Sequence, residues 1–145
     1  MQSQDRVGRE TMPRLSIHIR YDDGGLLGPG EAALLEAIAR EGSISAAGRS
    51  MNLSCTRAWY LLAEINRAFD ESLVAPEIGG RSGGRTALTE RGEELIRHYR
   101  AIEREARLAT APRLKALQAL FRESRRRQGV ARSAGRRLHH DQVLR

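Results

Sequence analysis

The residue types with the clearest chemical potential are the glycines and arginines of residues 79–85, which read Gly-Gly-Arg-Ser-Gly-Gly-Arg. Glycine lets a backbone approach phosphate oxygens closely, while Arg81 and Arg85 add positive charge that neutralises phosphates or enters a narrow minor groove. Ser82 adds a hydroxyl group that donates a hydrogen bond to a phosphate. A nucleotide-binding P-loop would need Lys followed by Ser or Thr, and this segment lacks that pair. The pattern therefore favours contact with a nucleic-acid backbone.

A helix predicted from Ser54 to about Phe69 carries a second set of candidate contacts. Apolar residues recur along one side of this helix at a spacing of about 3.6 residues, which indicates a buried face. A recognition helix uses the N-terminal residues of its other side to read base edges in the major groove. We therefore predict base contacts from Cys55, Thr56, Arg57 and Tyr60, with Arg57 as the strongest candidate. The single tryptophan, Trp59, is expected to pack at the edge of the buried face.

Residues 42–54 predict the short helix and tight turn that precede a recognition helix. Ser45 is expected to cap the short helix, and Asn52 is expected to end it in a left-handed conformation. The alternative is an ordinary three-helix core in which two helices happen to meet at a tight turn, and helical periodicity alone does not exclude it. If the DNA-binding interpretation holds, the predicted contacts to the backbone or minor groove are Ser45, Arg49, Ser54, Arg67, Arg81, Ser82 and Arg85.

No residues form a predicted catalytic or metal site. Cys55 is the single cysteine, His18 and His98 lie far from it in sequence, and no acid completes a catalytic triad. Two adjacent histidines near the C-terminus are typical of solvated polypeptide. We therefore predict that the chain is not an enzyme and that it holds no metal and no cofactor.

The elements that must position these residues are mostly helical. Alternating apolar and polar residues over 14–21 predict an edge strand, and a helix is expected over about 31–40. Leu73-Val74 and Thr86–Leu88 predict the two strands of a hairpin whose tip is the glycine-rich segment, and Trp59 is expected to pack against it. The fold class is mainly α with a small antiparallel β-sheet, which is a winged helix-turn-helix with a long C-terminal dimerisation helix.

The last long helix, capped by Thr89, carries an apolar stripe at alternating spacings of four and three residues. Two-fold symmetry doubles the contacts of a small DNA-binding domain, so a homodimer is expected. The alternative is that the stripe packs on the core of one chain. The residues predicted for the dimer interface are Leu95, Tyr99, Ile102, Ala106, Leu114 and Leu117.

Length and charge bound the organisation of the chain. Its 145 residues accommodate one compact domain. We predict a flexible N-terminus over 1–13, the winged helix-turn-helix domain over 14–111, a short amphipathic helix over 112–124 and a basic disordered tail over 125–145. The net charge of +7 comes from residues 113–145, because residues 1–112 carry 15 Arg against 16 acidic residues. Neither a signal peptide nor a membrane span is predicted, so a cytoplasmic location is expected.

Several of these segments resemble the DNA-binding part of the ModE-type, molybdate-responsive transcription regulators. The resemblance covers roughly residues 15–109, and its most specific motif is the Gly-Gly-x-x-Gly-Gly of residues 79–84. The start of the last helix is also similar to that of the LysR-type regulators. The matching residues are Gly42-Ser43-Ile44-Ser45-Ala46-Ala47, Ser54, Arg57-Ala58-Trp59, Glu64-Ile65-Asn66, Leu73-Val74, Leu88-Thr89-Glu90-Arg91 and Gly92.

The resemblance implies a homodimer that binds double-stranded operator DNA and controls molybdenum-related genes. Full-length members carry C-terminal oxyanion-binding domains, whereas only a basic segment follows Ala111 here, so no molybdate site is transferred and a separate effector-sensing partner becomes a candidate. Two other interpretations stay open. One is a winged-helix adaptor that binds a protein partner without sequence-specific DNA binding, and the other is binding of structured RNA by the basic tail.

Overall fold

A computed structural model describes residues 12–77 and 84–141. Within these ranges the chain forms four helices and two antiparallel pairs of short strands, which agrees with the predicted fold class. The residues divide into two compact units, Ser16–Ala106 and the terminal segments on either side of it. The elements in chain order are β1 (Ile19–Arg20), β2 (Leu26–Leu27), α1 (Pro29–Glu41), α2 (Ile44–Ser50), α3 (Cys55–Asn66), β3 (Val74–Pro76), β4 (Thr86–Leu88) and α4 (Glu90–Asp141).

The first helix, α1, is defined at both ends by local chemistry. The backbone N–H of Gly28 donates to the carboxylate of Glu31 at 2.9 Å, and Pro29 occupies the first helical position, where its missing N–H is not needed. Gly42 ends the helix at φ 73°, a left-handed conformation that favours glycine. The buried side of α1, with Leu34, Leu35 and Ile38 among its residues, forms the centre of the main core.

The turn between α2 and α3 depends on caps and small residues. Ser43 accepts a hydrogen bond from the backbone N–H of Ala46 at 3.1 Å, so the cap of α2 is Ser43 and the prediction of Ser45 is wrong. Ser43 is the cap because α2 begins at Ile44, two residues earlier than a cap at Ser45 would place it. Asn52 has the predicted left-handed conformation at φ 57°. Gly48 lets the helices approach, because a Cβ atom there would lie 3.1 Å from that of Ala58.

The strand predicted over 14–21 is much shorter in the structure. Regular pairing is confined to β1 and β2, in the register Ile19↔Leu27 and Arg20↔Leu26. Sequence reasoning missed β2 because two residues are too few for an alternating pattern. The turn between the strands is closed by a hydrogen bond from the Gly24 N–H to Tyr21 O, at 3.0 Å.

The predicted hairpin is confirmed in its two arms. Strands β3 and β4 are antiparallel, with Val74 opposite Leu88 and Pro76 opposite Thr86. The tip, residues 78–83, lies outside the described residues, and so do the predicted contacts Arg81 and Ser82. The hairpin is also tied to α1, because Thr86 N–H donates to Gly42 O at 2.7 Å.

The start of α4 packs tightly against the two residues that lead into β3. Thr89 accepts a hydrogen bond from the N–H of Gly92 at 3.2 Å, as a helix cap does, and its hydroxyl donates to Ser72 O at 2.8 Å. A Cβ atom on Gly92 would lie 2.3 Å from Leu73 O. The absence of a side chain at Gly92 therefore permits the contact between α4 and Leu73.

Two residues predicted for a dimer interface belong instead to the core of one chain. Tyr99 is 1% exposed, and its hydroxyl donates to Ile17 O at 2.9 Å. Leu95 is half-buried and packs against both apolar clusters of the Ser16–Ala106 unit. Both side chains face inward because the segment before β1 and the side of α1 cover that part of the stripe. The alternative that the stripe packs on the monomer core is correct for these two residues.

An ion-pair cluster joins α4 to α1. The guanidinium of Arg100 donates to both carboxylate oxygens of Glu36, at 2.8 and 2.7 Å, and to Glu103 at 2.7 Å. The hydrogen bond with Arg100 lowers the pKa of Glu36, and the paired carboxylates raise that of Arg100. This bidentate geometry fixes the lateral position of α4.

Beyond residue 106 the structure differs from the predicted domain boundaries. Helix α4 continues through Pro112 to Asp141, whereas a separate helix over 112–124 and a tail without regular structure were expected. Proline in a helix removes one hydrogen bond and costs about 3 kcal/mol, but the flanking Ala, Leu, Gln and Arg residues are strong helix formers. Residues 1–11 and 142–145 lie outside the described residues, so the ends of the predicted termini are not covered.

Candidate nucleic-acid interface

The outward face of α3 carries all four predicted base-reading residues. Their side chains are exposed, while the opposite face of the helix is fixed in the core by Leu62 and Ile65, which are 2% and 1% exposed. Ser54 holds the first turn, because its hydroxyl accepts a hydrogen bond from the Arg57 N–H at 3.1 Å. The four side chains are those of Cys55, Thr56, Arg57 and Tyr60.

Two of these residues support each other. The guanidinium carbon of Arg57 lies 5.3 Å from the centroid of the Tyr60 ring, within the range of a cation–π contact. The contact limits the directions in which Arg57 extends, so less conformational entropy is lost when the guanidinium binds a planar acceptor. An arginine of this kind suits the bidentate acceptor pair of guanine in the major groove.

Residues of α2 lie beside the first turn of α3. The Ser45 hydroxyl oxygen is 3.2 Å from the Cys55 sulfur, which brings a predicted backbone contact next to a predicted base contact. Arg49 is exposed in the last turn of α2. Arg67 is also exposed, but it follows α3 at the far end, about 18 Å along the helix axis from Cys55. The structure therefore groups Ser45 with the reading end of α3 and separates Arg67 from it.

Trp59 is more exposed than predicted. Its side chain is 54% exposed, on the flank of α3 next to the outward face. At about 100° per residue, position 59 lies beyond the edge of the arc that the buried residues occupy, so the core does not cover it. An exposed indole beside Tyr60 adds an aromatic surface to the candidate interface that sequence reasoning did not assign to it.

Arg85 is engaged within the protein. Its guanidinium donates to the Glu77 carboxylate at 3.1 Å, and both side chains are about half exposed. The same group lies against Gly42, where a Cβ atom would be 2.7 Å from it. Arg85 thus occupies the C-terminal end of α1, whose dipole favours a cation. The pairing of Arg85 with Glu77 follows from the hairpin register, but that register was not known from sequence.

Among the described residues, no cluster of histidine, cysteine or acidic side chains is arranged to hold a metal ion. In the same part of the chain, no helix has the length and apolar character needed to cross a membrane. The outward face of α3 exposes hydrogen-bond donors, aromatic rings and an arginine, which are groups used for DNA recognition.

Residues 31–93 match a family of bacterial regulatory helix-turn-helix proteins, the lysR family. The match begins at Glu31 in α1 and ends in the first turn of α4. It therefore covers α2, α3 and the hairpin, which are the elements that carry the candidate interface. This segment is a LysR-type helix-turn-helix domain.

Comparison with individual proteins gives a more specific similarity. The chain is 43% identical over 84 residues to the molybdenum transport protein ModE of Azotobacter vinelandii, covering 58% of this chain and 31% of the relative. It is 44% identical over 80 residues to the molybdenum-pterin-binding protein MopB of Rhodobacter capsulatus, covering 55% and 30%. It is 37% identical over 71 residues to the DNA-binding transcriptional dual regulator ModE of Escherichia coli K12, covering 49% and 27%. The chain thus spans about three-tenths of the length of these relatives.

Proposed function

We propose that this chain, whose residues 31–93 form a LysR-type helix-turn-helix domain, binds double-stranded DNA and regulates transcription. One observation carries the proposal: α3 buries one face completely and presents Thr56, Arg57 and Tyr60 on the other. A helix held this way by a tight turn enters the major groove with its N-terminal residues toward the bases.

In this function α3 supplies sequence recognition. Arg57 donates two hydrogen bonds to guanine, and Thr56 and Tyr60 contact neighbouring base edges or thymine methyl groups. Ser45, Arg49 and Ser54 lie on α2 or at the start of α3 and bind phosphates on either side of the groove. Cys55 is small enough to let the helix approach the bases closely.

The hairpin supplies a second contact. Arg81 and Ser82 belong to the glycine-rich tip and bind phosphate or the minor groove in this proposal. Arg85 holds the base of the hairpin through Glu77 and Gly42. Its contribution to phosphate binding is therefore smaller than that of Arg81.

We also propose a homodimer that acts in the cytoplasm. With Leu95 and Tyr99 assigned to the core, the remaining candidates for its interface are Ile102, Ala106, Leu114 and Leu117. Ile102 and Leu117 are 40% and 47% exposed, so both side chains are accessible to a second chain. A two-fold dimer would read half-sites about 34 Å apart.

The regulated genes are proposed to be molybdenum-related, because the names of the similar proteins refer to molybdenum transport and molybdenum-pterin binding. We further propose that a separate partner senses the effector.

Mobility-shift and anisotropy titrations with promoter fragments test this function. Arg57→Ala should reduce the preference for the bound fragment over mixed-sequence DNA by about 1–3 kcal/mol, or roughly 5- to 150-fold. Arg104→Ala is the matched control, because Arg104 is an exposed arginine of α4 and not a residue of the helix-turn-helix. Equal discrimination by wild type and Arg57→Ala would contradict sequence reading by α3.

The exposed Trp59 and Tyr60 favour one other candidate function, a winged-helix adaptor for a protein partner. Exposed aromatic side chains are enriched at protein interfaces. A partner complex that is insensitive to salt and lost with Trp59→Ala, together with no DNA retardation, would support the adaptor.

A further inference from the structure

The outer part of α4 carries positive charge that the proposed function does not use. Residues 113–145 hold nine Arg and one Lys against two acidic residues, whereas residues 1–112 hold 15 Arg against 16 acidic residues. DNA-binding proteins gain most of their sequence-independent affinity when Lys and Arg neutralise phosphates and release counterions. Residues 1–112 have no net positive charge, so the basic segment is a candidate source of further sequence-independent contacts.

The described cations of this segment concentrate on one face of the helix. At about 100° per residue, four arginines fall within an arc of about 120° and extend over about 15 Å of helix axis. All four are exposed. Met12 contacts Gln118, one turn before this set, so the N-terminal segment covers the helix there. We call these four residues the basic face: Arg122, Arg125, Arg126 and Arg132.

The acidic residue of residues 113–132 lies off the basic face. Glu123 accepts a hydrogen bond from Arg127 at 2.6 Å, and both positions fall in a different arc of the helix. Arg113 also lies outside the basic face. The basic face therefore gathers four guanidinium groups, and the acidic residue of residues 113–132 is not among them.

We propose that the basic face binds the phosphate backbone of duplex DNA without reading its sequence. This inference rests on the proposed function of the helix-turn-helix domain. Guanidinium groups bind phosphate oxygens in a bidentate manner, and about 15 Å of helix spans about four phosphates of one strand at about 3.4 Å each. Gly129 lies within the same arc, where a Cβ atom would meet nothing, so this stretch is open to a phosphate.

The test compares two double variants of the full chain that lose the same charge from the same helix. Arg122→Gln/Arg126→Gln removes two cations from the basic face, and Arg113→Gln/Arg127→Gln removes two from other faces. Binding to a mixed-sequence 30-base-pair duplex is titrated between 50 and 200 mM salt. The slope of log K against log salt should fall by about 1.8 for the first variant, at about 0.9 per phosphate contact, and by less than half of that for the second.

Controls separate contact from folding and from other anions. Circular dichroism verifies that both variants keep their helix content, and Arg122→Lys/Arg126→Lys should restore most of the slope because it restores the charge. Equal slope changes in the two double variants, or no change in either, would overturn the proposal that the basic face binds DNA. So would binding to phosphatidylglycerol-containing vesicles, in place of DNA, that depends on Arg122 and Arg126, because Leu117, Leu120 and Phe121 expose apolar surface on a neighbouring arc.

The mixed-sequence duplex keeps this test independent of the proposed sequence reading. If Arg57→Ala leaves discrimination unchanged while Arg122→Gln/Arg126→Gln lowers the slope, the sequence-reading function fails and the basic face stands. If Arg57→Ala removes discrimination while both double variants keep the wild-type slope, the sequence-reading function stands and the proposal for the basic face fails.

Discussion

Gly92 and Gly129 lie in the same helix, but substitution by alanine should destabilise the protein at Gly92 and stabilise the helix at Gly129. A Cβ atom at Gly92 would lie 2.3 Å from Leu73 O, whereas one at Gly129 would meet nothing within 4 Å. Leu73 is fully buried, and its carbonyl also accepts the Thr89 N–H at 3.0 Å, so the oxygen moves only if that bond is lost. Relieving the contact requires a shift of roughly 1 Å, because unstrained contacts lie near 3.5 Å.

The magnitude follows from two opposing effects. Overpacking a rigid site costs typically 1–3 kcal/mol, and a backbone neighbour places Gly92→Ala near the upper end, at about 3 kcal/mol. Replacing glycine by alanine in a helix recovers up to about 1 kcal/mol. The net expectation is a loss of about 2 kcal/mol, which lowers the Tm of a unit of this size by about 8–16 °C. At Gly129 no overpacking opposes the higher helix propensity of alanine, so Ala should stabilise the helix by up to about 1 kcal/mol.

Scanning calorimetry measures the cooperative transition of each variant, and far-UV circular dichroism measures helix content. Gly92→Ala should lower the transition temperature at unchanged folded-state helix content, and Gly129→Ala should raise helix content without lowering the transition. A transition of Gly92→Ala at or above the wild-type temperature would refute the packing argument at Leu73. A loss at Gly129 equal to that at Gly92 would show a general cost of alanine in α4.

The remaining predictions concern a cap and two ionisable groups. Ser54→Ala should lower the free energy of unfolding in urea by about 1 kcal/mol, because the Arg57 N–H loses its acceptor. Burial raises the pKa of Tyr99 to about 12, whereas the same tyrosine in the unfolded chain ionises near pH 10. The free energy of unfolding should therefore fall as the pH rises from 10 to 12, because the unfolded chain loses this proton first. Urea midpoints measured across this range should fall less for Tyr99→Phe than for the wild type. The hydrogen bond from Arg100 lowers the pKa of Glu36, so the stability it adds is present above pH 4.5 and is lost as pH falls through the folded pKa; acid titration of Glu36→Gln should lack this loss.

Helical periodicity predicted the order of the elements well, because each helix buries one continuous stripe. The buried side of α3 and the left-handed Asn52 follow from local residue types. The same periodicity did not distinguish burial within a chain from burial between chains. Tyr99 is the clearest case, because its hydroxyl bonds to Ile17 O, a partner 82 residues away that no local pattern identifies.

The candidate site was predicted more completely on α3 than on the hairpin. Exposure of Arg57 and Tyr60 follows from their positions opposite the apolar stripe, whereas the engagement of Arg85 depends on Glu77 and Gly42, which only the tertiary fold brings together. Trp59 was predicted to pack at the edge of the buried face and against the hairpin, because a large amphipathic ring there would join the helix to the hairpin. In the structure its position on α3 lies beyond the edge of the buried arc, so the core does not cover the side chain.

The bond from Thr86 N–H to Gly42 O couples the hairpin to the end of α1 and hence to the helices that follow. If α3 and the hairpin both touch DNA, the protein sets the interval between their two contacts. Inserting one base pair between the contacted positions moves the flank by about 3.4 Å and turns it by about 35° around the duplex. The operator should therefore tolerate substitutions between the two contacts far better than a change in its length.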